Sequence, residues 1–173
     1  MVANWNKPAE NTFPPYYGKY IALVGDGDLT HILDQQMQDL TDFLQNIPEN
    51  IYDHRYAEGK WTPRQVLQHM IDGERVFSYR LMCFARGEQT PLPGYEENDY
   101  AREANVEERS FAEQIAEFNA VRRSTIALVM SLNDALLDRM GNANGNPISV
   151  RAIAYIMAGH VAHHRNILQE RYL

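Results

Sequence analysis

The chain has 173 residues, 45% of them apolar and 23% charged, which suits one globular domain able to bury a core of its own. Sixteen basic and 23 acidic residues give a formal charge of −7, with no Lys/Arg stripe, so direct nucleic-acid binding is not expected. The apolar runs at 125–130 and 152–158 are too short to span a bilayer. Residues 1–11 lack the pattern of a secretory leader, and the single cysteine, Cys83, excludes an intramolecular disulfide, so the expected setting is the cytoplasm.

Residues 1–27 are rich in Pro, Asn, Gly and Tyr. The two prolines of Phe13-Pro14-Pro15-Tyr16-Tyr17 restrict the backbone and remove donors, so this stretch reads as an extended aromatic arm laid on the body. Asp28 is a candidate N-cap. Leu29, Ile32, Leu33, Met37, Leu40, Phe43, Leu44 and Ile47 then recur at three- and four-residue intervals, which predicts a first helix stopped by Pro48. His31 lies off this stripe and reads as a surface residue.

Thr62-Pro63-Arg64-Gln65 combines an N-cap threonine, proline at the first helical position and glutamine at N3. It predicts a second helix from Pro63 to Ala85, with His69 set early among apolar residues. Residues 86–105 form a long connection whose Gly87, Pro91, Pro93 and Gly94 break any helix, a length that suits a lid or a functional loop. Asp99 and Tyr100 within it read as surface. Ser110-Phe111-Ala112-Glu113 is another capping box, and an apolar stripe from Phe111 to Leu132 predicts a third helix. A polar turn spans residues 141–147. Ser149 caps a fourth helix whose inward stripe carries Ile153, Ile156, Met157, His160, His164, Ile167 and Leu168. Four long helices without a convincing strand predict an all-α four-helix bundle, with residues 1–27 as the arm and 28–173 as the bundle of a single domain. Met70, Met82, Met130 and Met157 read as core filler, and Cys83 as a buried, inert thiol.

The segment Ala158-Gly159-His160-Val161-Ala162-His163-His164-Arg165 concentrates half of the six histidines. Four residues turn a helix by about 400°, so His160 and His164 project from one face about 6 Å apart along the axis. Two imidazoles at that spacing can hold one divalent metal. His163 lies about 100° away and does not share the site. A lone histidine on an apolar face is more often a hydrogen-bonded core residue than a ligand. Two buried together each need partners, however, and a shared metal satisfies both at once. A bundle can bring the second helix beside the fourth, which makes His69 the candidate third ligand and leaves a coordination position open. Asp72 could orient a ligand imidazole as an outer acceptor, although a solvated helix residue is the simpler reading. Glu74 lies about 140° round the helix from His69, which argues against ligation; with Arg75 it suits local ion pairs. A ferritin-like di-iron site is discounted because no Glu-x-x-His occurs.

Three stretches together resemble the DinB/YfiT-like family of four-helix proteins: residues 56–69 with Asp72-Gly73-Glu74-Arg75, residues 79–94, and Ser149 through His164. The resemblance covers nearly the whole chain. It implies a divalent metal (zinc, nickel, iron or manganese) held by His69, His160 and His164, and a homodimer packed through helices. It also implies a metal-dependent enzyme acting on a small molecule. The metal would activate a low-molecular-weight thiol, as in the family's S-transferases, or a water for hydrolysis. The alternative class is a non-enzymatic, stress-related protein binding metal or a small molecule. The family name points to DNA-damage induction, which concerns expression rather than DNA contact.

Overall fold

The structure is a computed structural model and describes residues 3–173. After an irregular start come 3-10 turns at Glu10–Thr12 and Pro15–Tyr17 and one helical turn, α1 (Gly18–Ile21). The arm is therefore not extended throughout. Proline fixes a φ suited to the first position of a helical turn, where its missing N–H costs nothing, and Pro15 occupies such a position.

The four long helices are α2 (Leu29–Gln45), α3 (Pro63–Ala85), α5 (Phe111–Met130) and α7 (Val150–Arg171); between them lie α4 (Glu97–Glu103) and α6 (Asp134–Leu137). The caps form as their sequences dictate. Asp28 accepts from the Thr30 and His31 amides, Thr62/Gln65 and Ser110/Glu113 close reciprocal capping boxes, and Ser149 accepts from the Ala152 amide. Helix α4 corrects the expectation that the 86–105 connection holds no helix. The four breakers lie at or before Gly94, and Glu96 caps α4 beyond them by accepting from the Asn98 amide.

A two-stranded antiparallel hairpin, β1 (Met140–Ala143) and β2 (Asn146–Ser149), occupies the stretch read as a polar turn. Asn144 and Gly145 take φ values of 52° and 76° at its tip. Two positive φ angles make the primed turn that matches strand twist, and Asn-Gly is its preferred pair. Leu92 docks on the hairpin by donating to the Asn142 carbonyl and accepting from the Asn144 amide, both at 2.9 Å. This ties the long connection to the body.

The helices close in the order α2–α5–α3–α7, and α1 lies against α7. Two apolar clusters fill the interior. One holds Leu33, Phe77, Leu81, Val129, Ile153 and Met157 with the arm and hairpin; the other holds Met37, Leu67, Met70, Phe118, Val161 and Leu168. Between them runs a polar level made of Gln36, Glu74, Arg122 and His160, all but Gln36 fully or nearly fully buried. Met82 and Met130 are exposed rather than core, and Cys83 is half-buried, because they fall on the outer faces of α3 and α5. Among the described residues, no helix is long and apolar enough to cross a membrane.

Candidate functional site

Helices α3 and α7 pack side by side, and this pairing brings His69 to the His160/His164 face. His160 Nε2 lies 2.9 Å from His69 Nε2 and 3.1 Å from His164 Nε2. All three side chains are buried, at 6–7% exposure. Burial holds each imidazole below its ordinary pKa, His69 down to about 4 and His160 and His164 well below it, with neighbouring imidazoles adding to the effect. The cluster is therefore neutral near pH 7, with lone pairs rather than charges turned inward. His160 Nε2 can donate to at most one of its two neighbours, and His164 Nδ1 has no partner among the described residues. Such a set fits a small cation: tetrahedral sites with metal–nitrogen bonds near 2.0–2.1 Å place their nitrogens about 3.3 Å apart.

His163 stays outside the group, its ring edge-on to Tyr20 at 5.1 Å. Asp72 does not orient His69. Its carboxylate accepts from Gln68 Nε2 at 3.1 Å and lies 3.5 Å from Arg75, so its partners are the polar side chains of its own helix. Glu74 does not pair locally. It meets Arg122 of α5 at 3.0 Å, while Arg75 binds Glu117 at 2.7 Å.

Aromatic rings wall the histidines. Trp61 packs on His69 at 4.7 Å, and Tyr20 and Phe77 flank His160 at 5.8 and 6.0 Å. Two glycines allow close approaches at the site, one to backbone and one to side chains. A Cβ on Gly159 would lie 2.0 Å from the Tyr20 carbonyl oxygen, so α1 can seat on α7 only there. A Cβ on Gly73 would lie 3.0 Å from His160 Cε1 and 3.7 Å from the Tyr95 hydroxyl, so Gly73 keeps open the space between that ring and that phenol.

No curated protein matches the chain. The DinB superfamily profile matches residues 32–168. The chain belongs to the DinB superfamily. Among solved structures it is similar to YfiT from Bacillus subtilis, described as a probable metal-dependent hydrolase with an unusual four-helix bundle topology. The TM-score is 0.74 at 20% identity, over 95% of this chain and 90% of that one. At that identity the likeness carries the fold.

In this DinB-superfamily chain a cavity of about 150 Å³ opens onto His69 and His160. Tyr17, Tyr20, Arg80, Tyr95, Glu97 and Asn144 line it. Burial raises all three phenol pKa values, Tyr95 to about 12 with Glu97 adding and Arg80 opposing, so these hydroxyls keep their protons. Burial also raises the Glu97 carboxyl, with Glu96 adding and Lys19 opposing. None of these six stands out as a site residue from the sequence. Arg80 alone carries a signal: eleven residues after His69 it returns to within about 20° of the same helical face. Asp99 and Tyr100 are exposed, yet their neighbours Tyr95 and Glu97 reach the cavity, so the 86–105 connection does contribute to the site.

Proposed function

We propose that the chain is a metal-dependent enzyme of small-molecule chemistry, with His69, His160 and His164 as the ligands of one divalent ion. The convergence of three buried, neutral Nε2 atoms beside an open cavity supports this reading most directly. A structural site fills its coordination shell with protein atoms, whereas three imidazoles leave a position for substrate. A divalent ion held by these residues would supply Lewis-acid chemistry, activating a water or a thiol or polarising a carbonyl. The imidazoles suit zinc, nickel, iron or manganese alike.

The chain's own side chains divide the remaining work. Trp61, Tyr20 and Phe77 exclude water from the ligand face. The Tyr95 hydroxyl, protonated and next to His160 across the bare Gly73, can donate a hydrogen bond to a substrate oxygen. Hydrolysis is the leading reaction, in keeping with the description of the similar YfiT. Transfer to a low-molecular-weight thiol is the second, because the same open position accepts a thiolate.

The test begins with protein purified without chelator. About one divalent ion per chain is expected, lost in His69→Ala and His164→Ala; undiminished metal in both variants refutes the site. Loaded protein is then screened with activated esters, and separately with a chlorinated dinitrobenzene and a small thiol. Turnover of the first class alone supports hydrolysis, and thiol-dependent turnover of the second supports transfer.

A further inference from the structure

The bundle buries two arginines, and they are treated differently. Arg122 faces the Glu74 carboxylate at 3.0 Å. Arg80 is 6% exposed, yet among the described residues no carboxylate lies within ion-pair distance of it. Its one hydrogen bond there runs from Nη2 to the Pro93 carbonyl at 2.7 Å. A guanidinium offers five donors in a planar fork, and a buried charge without a counter-charge is costly. The remaining donors belong to a side chain that lines the cavity at His69 and His160.

Arg80 also lines a second cavity of about 310 Å³, whose wall includes Pro14, Tyr17, Phe77, Ile148 and Ile153. The cation thus stands where a mostly apolar chamber meets the histidine chamber. Glu97, an acid in the lining of the histidine chamber, has Lys19 as its favourable charge. Lys19 itself lies over the Tyr16 and Tyr20 rings at 4.1 and 5.0 Å, at the rim.

We propose that Arg80 is the anchor for a substrate carboxylate, so that the enzyme acts on small monocarboxylic acids with an apolar body. The carboxylate takes the free edge of the guanidinium, the apolar body lies against Phe77, Ile148 and Ile153, and the reacting group extends toward the histidines. One buried cation matches one negative charge; a phosphate dianion would need a second, which neither chamber supplies. The assignment of the reacting end rests on the three-histidine reading, and the anchor itself does not.

Benzoate and its neutral isostere benzamide are the probes, titrated by calorimetry into metal-loaded and into chelator-stripped protein. Benzoate is expected to bind at least about 10-fold more tightly than benzamide in both forms, since charge-assisted hydrogen bonds exceed neutral ones. Arg80→Gln is expected to erase that preference, and Arg80→Lys, which keeps the charge but not the fork, to retain part of it. Equal binding of the two probes by the unaltered protein, or an undiminished preference in folded Arg80→Gln, overturns the proposal. Tighter binding of inorganic phosphate than of benzoate overturns the monoanion assignment. Metal content measured on the same samples keeps the two readings apart: a chain that binds no metal but retains Arg80-dependent benzoate binding refutes the metal centre and leaves the anchor standing.

Discussion

Two polar groups sit at the same level of this bundle, on opposite sides of α3, and they solve burial in opposite ways. Glu74 and Arg122 put charge against charge in the centre, at 0–1% exposure, and Gln36 links them to α7 by accepting from Arg122 and donating to the Ala158 carbonyl. His69, His160 and His164 bury no charge, and among the described residues their side chains hydrogen-bond only to one another. The first group finishes within the protein, apart from Glu74 Oε1 and Arg122 Nε, which have no partner among the described residues. The second leaves His164 Nδ1 without a partner among the described residues and one Nε2 shared between two neighbours. A buried ion pair holds helices in register, whereas convergent lone pairs with an adjoining cavity read as a receptor for a cation.

The largest effect that would sharpen this contrast comes from Glu74→Ala. Stranding Arg122 should cost about 3–5 kcal/mol of stability by urea unfolding, and metal stoichiometry should not change. Glu74→Met combined with Arg122→Leu should recover most of that loss, because a matched apolar pair avoids desolvating either charge. If Glu74→Ala instead releases the metal while stability holds, the two clusters are one functional unit and the contrast fails.

His160→Ala should do the reverse. It removes the imidazole both others face, and metal affinity should fall by more than about 100-fold, beyond what loss of an outer partner costs. Equilibrium dialysis measures this, and the metal-free variant should unfold closer to the parent than Glu74→Ala does.

Acid titration separates the groups again. The folded imidazoles hold their pKa values below 6.5, His69 at about 4, so the unfolded chain takes up protons first as pH falls. Stability of the metal-free protein is therefore complete above about pH 6.5 and declines toward about pH 4, by up to about 1.4 kcal/mol per pH unit for each imidazole. Urea midpoints across this range should show a slope that His160→Ala reduces. Protons also compete with metal for the same nitrogens, so metal release is expected over the acid range.

The smallest effect is expected from Gly73→Ala. Its methyl meets the His160 ring at 3.0 Å, tight enough to displace the ring slightly. About 1 kcal/mol of stability and a several-fold loss in metal affinity should result, with the Glu74–Arg122 pair undisturbed.

Some of this molecule was legible residue by residue. The starts of α2, α3, α5 and α7 are set by caps whose donors and acceptors lie two or three residues apart. The His160/His164 pair is set by helical spacing alone. The hairpin at Met140–Ser149 carried a signal in Asn144-Gly145, but its flanks lack the alternating β-branched residues that mark strands. Helix α4 was hidden behind a run of breakers that all lie at or before Gly94.

The sequence by itself determined the four long helices, their caps and one facing pair of imidazoles, because those depend on hydrogen bonds and turns of three or four residues. Only the tertiary structure decided the rest. His69 meets His160 across 91 positions, and Glu74 meets Arg122 across 48. Arg80, with no carboxylate at ion-pair distance among the described residues, lies between two chambers because the arm, the hairpin and the 86–105 connection close around it. Partners at such separations are chosen by which helix faces pack together, and a buried polar side chain depends on its spatial neighbours rather than on those beside it in the chain.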